Sequence, residues 1–298
     1  MGARMNAAPA YRALAIDDLR RRRAEARFGR TIHYYDSVDS TNTVTRRLAV
    51  DGAAEGTAVI AETQTRGRGR LGRAWVSPPF RNLYLSIILR PPLAAGAVAQ
   101  ITLVAGLATA EAAGEWAPDA AIKWPNDVVV GGRKLAGILA EMETDAEGVR
   151  FVILGIGVNL NAAAADFPPE LRDKAVSLCA ATGQVIDRVA FADRLLSRLE
   201  QRYDVFLRAG FAGIRPLWES HSSLNGRQVE ISGGGQRLVG VVTGIADDGT
   251  LVLRDAAQKE LRVVAGDVTV LGGYEKAAAI SDPPSAVSSK TGEGKADS

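Results

Sequence analysis

Hydrophobic and polar positions follow two rhythms along this chain, one with a period of two and one near 3.6. Strand-like runs fall at 31–35, 57–64, 82–89, 121–124, 128–130, 134–141 and 149–158. Residues 31–35 are dominated by β-branched and aromatic side chains, and 82–89 alternates as a central strand does. Helical spacing predicts a short helix over 17–26, a second over 43–50, a long alanine-rich one over 97–116 and an amphipathic one over 191–208. In the third, Ile101, Val104, Ala105 and Ala108 share a side; in the fourth, Phe191, Leu195, Leu199, Tyr203 and Phe206 form a core stripe that Gly210 ends. Asp39, Ser40 and Thr41 are good N-caps for the second, which Asp51-Gly52 closes. Gly131-Gly132 is a two-residue hairpin signal. Beyond Trp218 the rhythm shortens, with strands at 228–232, 237–245, 250–254, 261–264 and 268–271 and turns at 233–235 and 247–249, which predicts a small barrel. The expectation is an α+β chain. A 1–30 arm precedes a main domain at 31–222, a small β-domain follows at 223–273, and a Ser-, Pro-, Lys- and Gly-rich tail at 274–298 is expected to be disordered.

Charge narrows the function classes. Lys+Arg 36 against Asp+Glu 34 leaves a net charge of +2, so no global field draws the chain to DNA or a membrane. The single cysteine, Cys179, excludes an internal disulfide and a CxxC-type metal site. His33 and His221, the two histidines, lie far apart, which argues against zinc hydrolysis and a Ser-His-Asp triad. No apolar stretch is expected to approach the roughly 18 residues that span a bilayer, and the N-terminus lacks a secretory h-region. The arginine run 20–23, beside Asp17 and Asp18, reads as a solvated helix face. A soluble cytoplasmic protein is the expectation.

The densest chemistry lies in 62–73, where Gly67, Gly69 and Gly72 are interleaved with Arg66, Arg68, Arg70 and Arg73. Glycine lets the backbone approach a ligand closely, and arginine offers a planar cationic fork for carboxylate and phosphate. The spacing also matches the dinucleotide fingerprint G-x-G-x-x-G. That fingerprint must open a helix and meet an acid about 20 residues on. Here Pro78-Pro79 follows, and Arg90-Pro91-Pro92 stands near the place for the acid, so a dinucleotide site is rejected. An unstructured RNA-binding Arg-Gly segment is disfavoured by the apolar strands on either side.

Four further stretches carry more polar chemistry than their elements need. Asp39-Ser40-Thr41-Asn42 exceeds a simple N-cap and can hydrogen-bond a neutral head group such as a ureido ring. Lys123-Trp124-Pro125-Asn126-Asp127 offers a lysine for phosphate and a carboxylate for metal. In Gly132–Glu141, strict alternation puts Lys134 at the head of an apolar face with Ala136, Ile138 and Ala140, and Gly137 on the opposite face. Lysine there either snorkels or meets a buried anion. Gly155-Ile156-Gly157-Val158-Asn159 places glycines inside a strand, where either a packed neighbour or a ligand needs the room.

Together these stretches, in this order, resemble the catalytic region of biotin–protein ligases over about residues 31–222. Residues 223–273 resemble that family's SH3-like C-terminal domain. The resemblance implies a mixed-sheet domain of the biotin/lipoate ligase type with helices packed on it. It implies MgATP-dependent formation of biotinyl-5′-adenylate, then transfer to a lysine of a biotin carboxyl carrier protein or domain. By the same resemblance Ser40, Thr41, Asn42, Gln64, Arg68, Gly69, Arg70, Lys134, Gly137 and Gly157 form the biotin site. Arg70, Lys123, Trp124, Asn126, Lys134 and Asn159 meet ATP, and Asp127 meets Mg2+. Arg68, Arg70, Lys134 and Asp127 are the expected catalytic groups, Asp127 also helping to take the proton of the incoming lysine. Some relatives carry an N-terminal DNA-binding winged helix, which a 30-residue arm cannot hold, so no DNA partner is expected; the chain is expected to be a monomer or homodimer. Lipoate–protein ligases and octanoyltransferases share the fold but lack a ureido ligand, and a nucleic-acid-binding protein is the rival from another class.

Overall fold

The computed structural model describes residues 12–233 and 236–274 of the chain. The tail beyond Tyr274 and residues 1–11 of the arm lie outside the described residues. Helix α1 (Ile16–Arg22) leads into β1 (Ile32–Val38), α2 (Thr41–Val50), β2 (Ala58–Gln64) and β3 (Leu83–Leu89). Then come α3 (Val98–Ala113), β4 (Ala121–Lys123), β5 (Asp127–Val130), β6 (Arg133–Asp145) and β7 (Gly148–Val158). Helices α4 (Leu178–Thr182), α5 (Arg188–Ala209) and α6 (Arg215–Ser220) complete the main domain. The strands form one seven-stranded sheet in the order β1-β2-β3-β7-β6-β5-β4. Only β1 and β2 pair in parallel; the other neighbours are antiparallel, which makes the sheet mixed.

Side chains alternate across this sheet, and the two faces do different things. On β7, Val152, Leu154 and Ile156 enter the main core with α3 and α5, while Phe151 and Ile153 pack with Ile88 and Ala49 beneath α2. Gly155 and Gly157 continue that second row. The run Ala95–Ala113 is long and apolar enough to cross a bilayer by length and composition, which corrects the expectation that no stretch comes close. Ile101, Val104, Leu107 and Ala108 are fully buried in the main core, so its apolarity is that of a helix packed between a sheet and α5.

The arm is part of the core. Leu14, Leu19 and Phe28 are buried. Arg23 also departs from the expected solvated face: it is 5% exposed, 2.9 Å from Glu200 and 2.6 Å from Ser197 of α5. Helical spacing explains this, since position 23 falls on the same side as Leu19. Arg20, Arg21 and Arg22 stay at the surface, paired with Asp17 and Asp18.

The C-terminal unit contains β8 (Gln228–Gly233), β9 (Gln236–Ile245), β10 (Leu251–Arg254), β11 (Glu260–Val263) and β12 (Asp267–Val270). They form an antiparallel SH3-like sheet in the order β11-β10-β9-β8-β12 around Val229, Ile231, Val242, Leu251 and Leu253. Among the bonds that seat it on the main domain, Trp124 Nε1 donates to Gly249 O (3.2 Å), Ile245 N donates to Glu219 Oε1 (3.2 Å), and Arg215 pairs with Asp247 (3.1 Å).

Candidate functional site

The long connection from β2 to β3 folds back on itself. Gly69 N donates to Arg73 O at 2.7 Å and Trp75 N to Gly67 O at 2.9 Å, making a narrow ribbon. At its tip is a single turn, Arg70–Gly72, in which Leu71 takes φ 55°. No helix opens here, in keeping with the rejection of a dinucleotide site. The ribbon, the start of α2 and the second face of the sheet enclose a cavity of about 500 Å³, within the usual range for a small-molecule site.

At one end of the cavity stands a connected polar cluster. Ser40 is the N-cap residue of α2 but makes no capping bond through its side chain. The three consecutive residues Ser40, Thr41 and Asn42 are all under 5% exposed and line the cavity. Gln64 Oε1 accepts from Thr41 N at 2.9 Å and from Thr41 Oγ1 at 3.1 Å, and Gln64 Nε2 donates to Ser77 Oγ at 3.2 Å. Ser86 Oγ lies 2.7 Å from Thr41 Oγ1 and 2.6 Å from Asn42 Oδ1. Buried polar groups tied together in this way are preorganised to read a ligand's donors and acceptors.

The other end is charged. Lys134 does not share a face with Ala136 and Ile138 as strict alternation predicts. A bulge displaces the β5–β6 register, Val128 facing Ala136 but Val129 facing Lys134, so Leu135 is the extra residue. Lys134 therefore turns to the cavity face with Gly137, while Leu135, Ala136 and Ile138 enter the core. Its Nζ lies 2.7 Å from Asp127 Oδ1 and 5.5 Å from the centre of the Trp75 ring. Arg70 Nη1 donates to Asn126 Oδ1 at 2.9 Å, and Asn126 Nδ2 donates to Ile138 O at 3.0 Å. Lys123 also lines the cavity, and its ammonium is pulled below the ordinary lysine value by burial, with Asp127 opposing and Lys134 adding to the shift.

Arg68, Arg70 and Lys134 thus line one cavity, each with a protein partner. Glu141 and Asp127 offset the charges of Arg68 and Lys134. Arg70 is held by a neutral amide and keeps its full charge for an incoming anion. Asn159 is buried, with Nδ2 3.4 Å from Lys134 O, so it supports the lysine's backbone from below.

Two expectations change. Trp124, expected beside ATP, stands apart from the cavity: it is 2% exposed and does not line it, because neighbouring side chains diverge and Lys123 takes the cavity side. Its indole instead fastens the C-terminal unit. Gly137 and Gly157 do line the cavity, but the room they leave is filled by Trp75. A Cβ at Gly157 would stand 2.5 Å from Trp75 Cε2, and one at Gly137 would stand 2.8 Å from Trp75 Cζ3. Trp75 is the residue sequence reasoning passed over. The signal was an aromatic side chain two positions after the last arginine of the loop and a pair of strand glycines needing an occupant. Asp267, from β12, also lines the cavity and pairs with Arg73.

A mixed sheet with a ribbon of glycine and arginine over a polar cluster and a bulge-directed lysine defines the class. The chain matches the Biotin/lipoate A/B protein ligase family over residues 34–159 and the Biotin protein ligase C terminal domain over residues 225–271. It is 39% identical over 226 residues to the Bifunctional ligase/repressor BirA of Bacillus subtilis (strain 168), covering 76% of this chain and 70% of the relative. It is 38% identical over 231 residues to the Biotin--[acetyl-CoA-carboxylase] ligase of Paracoccus denitrificans, covering 75% and 94%. Among solved structures, the biotin protein ligase from Aquifex aeolicus in complex with biotin and ATP superposes with a TM-score of 0.70 at 30% identity, covering 80% of this chain and 98% of that one. The chain belongs to the biotin/lipoate A/B protein ligase family, and within it to the biotin protein ligases.

Proposed function

We propose that this cavity activates biotin with ATP and hands the acyl group to a lysine of a carrier protein. The observation that carries the reading is the cavity-facing row of β6. Gly137 and Leu139 follow one another on that face, Lys134 joins them through the bulge, and Glu141, one alternation further on, lines the adjoining cleft beside the Gly-Arg ribbon. Gly137 to Glu141 spans about 13 Å of extended strand. A ligand along it has its neutral ring among Ser40, Thr41, Asn42 and Gln64 and its carboxylate near Lys134. An apolar chain between them is favoured by about 0.8 kcal/mol per buried methylene.

In the first step a carboxylate oxygen attacks the α-phosphorus of ATP and pyrophosphate leaves. Both reactants are anions, so preorganised cations in a water-poor site lower the barrier. In this reading Arg70 meets the phosphates with its undiminished charge. Lys134 exchanges Asp127 for the substrate oxygens, and Lys123 and Asn126 flank the nucleotide. Mg2+ prefers oxygen ligands and one or two carboxylates shared with phosphates. Among the described residues there is no cluster of three or more metal-binding side chains. Asp127 fits the role of a single carboxylate sharing a phosphate-borne ion, which would neutralise charge on the leaving pyrophosphate. In the second step a neutral lysine amine attacks the acyl carbon, AMP leaves, and an amide forms with loss of a proton. Asp127, once released by Lys134, is the carboxylate placed to receive it. Acceptor proteins of biotin-dependent carboxylases are the partner class, in line with the printed name of the Paracoccus relative.

The test is biotin-dependent exchange of labelled pyrophosphate into ATP, followed by transfer to a carrier domain. Exchange with biotin and none with lipoate or octanoate is expected; exchange with lipoate alone would move the chain to the other branch of the family.

A further inference from the structure

Glu141 takes no part in either step, yet its carboxylate joins the two motifs that hold the ligand ring. We propose that Glu141 is a positioning residue that sets the register between the Gly-Arg ribbon and the polar cluster of α2, an inference that rests on the biotin reading above.

One oxygen, Glu141 Oε2, accepts from Asn42 Nδ2 at 2.7 Å and from Arg68 Nη2 at 3.0 Å. The two segments already meet at the root of the ribbon, where Arg66 N donates to Asp39 O at 2.8 Å and Gln64 accepts from Thr41; the Glu141 link is the one that reaches out to Arg68. Asn42 is 4% exposed, and its amide is held on the far side as well: Oδ1 faces Ser86 Oγ at 2.6 Å and lies over Gly155, where a Cβ would collide with it. The amide cannot turn over without losing both bonds, so its N–H edge requires an acceptor where Glu141 stands. Arg68 has the opposite problem. It sits between Gly67 and Gly69, and a backbone of that kind does not by itself fix a side chain. Its bond to Glu141 ties the ribbon to β6. The pair is half exposed on the arginine side, so it adds little to global stability. Its effect is on geometry: the ring-binding groups and the ribbon above them refer to the same atom. The anion end uses other bonds, Arg70 to Asn126 and Lys134 to Asp127.

Removing the carboxylate should therefore weaken the grip on biotin and leave ATP binding alone. Pyrophosphate exchange is measured for the wild-type chain, E141A, E141Q, R68A and E141A/R68A, with biotin and ATP varied separately. Wild-type exchange shows that the underlying reading holds; its absence sinks that reading before the variants are compared. E141A is expected to raise the KM for biotin by about tenfold or more and to leave the KM for ATP within about twofold. E141Q keeps an oxygen able to accept both bonds and should recover most of that loss. The double variant should be no worse than the poorer single one, since both remove one link. A biotin KM within about twofold of wild type in E141A, equal rises in both KM values, or multiplying effects in the double variant would overturn the proposal. Circular dichroism checks folding, and if E141A does not fold, E141M, which also removes the acceptor but keeps the side chain's volume, takes its place in the same comparison.

Discussion

Replacing Arg188 by methionine tests the energetics behind β2, the strand that delivers Gln64 to the cavity. Arg188 clamps Glu62 with Nη1 2.7 Å from Oε2 and Nη2 3.0 Å from Oε1. The side chains are 10% and 1% exposed, so the pair is buried. Tyr34 Oη at 2.5 Å and Leu14 N at 2.6 Å complete the carboxylate's shell. Methionine leaves a buried carboxylate without its counter-charge, which typically costs about 3–5 kcal/mol, a large fraction of the roughly 5–15 kcal/mol that holds a protein folded. Urea unfolding at pH 7 should show a loss of that size. The pH dependence gives a second reading. Burial alone raises the Glu62 carboxyl, but Arg188, Tyr34 and Leu14 together hold it below its ordinary 4.5. In the wild type this group stabilises the fold above pH 4.5 and loses that contribution as pH falls through the depressed value. In the variant burial is no longer outweighed and the carboxyl rises, so its penalty fades as it takes a proton. The stability gap between the two should be widest near pH 7 and narrow toward pH 4. A gap under about 1 kcal/mol, or one that stays constant from pH 8 to pH 4, would refute the reasoning.

Three further outcomes are expected. Lys134→Ala should lower the rate of adenylate formation by about 10²–10³, measured by pyrophosphate exchange; a loss under about tenfold would remove Lys134 from the charge-stabilising role. Arg70→Gly deletes the cation held by Asn126 and should let the adenylate escape, so that bystander proteins carry biotin on a streptavidin blot; unchanged retention of the adenylate would count against the ribbon as a cover. Gly157→Ala forces the Trp75 ring from its seat, and should shift tryptophan fluorescence and raise the biotin KM; an unmoved spectrum with an unmoved KM would show that the ring yields without consequence.

The strands of both sheets were legible because they are periodic and bounded by turn residues; the β8–β12 boundaries fall within about two residues of the reading, whereas β6 runs on to Asp145, four residues past the expected 134–141. The Gly131-Gly132 turn was legible for a local reason too, since both residues take positive φ, 55° and 75°. Helix α3 was found from its pattern, but its capacity to pass for a membrane span was missed, because burial on both sides removes the polar stripe that marks a surface helix. The face of Lys134 was misread for a reason no alternation rule contains. A bulge is a property of the pairing between β5 and β6, and it reverses the side on which the lysine emerges. Trp124 and Trp75 exchanged importance for a related reason: a motif says which residues are dense in chemistry, and the tertiary fold decides which of two neighbours looks inward. Arg23 followed the same logic, drawn under the surface by Glu200 from far along the chain.

The pairing of Arg73 with Asp267 has a practical consequence for anyone recombining such proteins. One partner ends the ribbon, the other belongs to the small C-terminal sheet, so the modules are not interchangeable parts. A chimaera that borrows its last fifty or so residues from a cousin inherits a foreign contact for position 73, and must bring a matching acid or swap the ribbon with it. Grafts joined at the apparent seam near residue 223 would be judged partly by whether this clasp, the one that reaches the ribbon, survives the exchange.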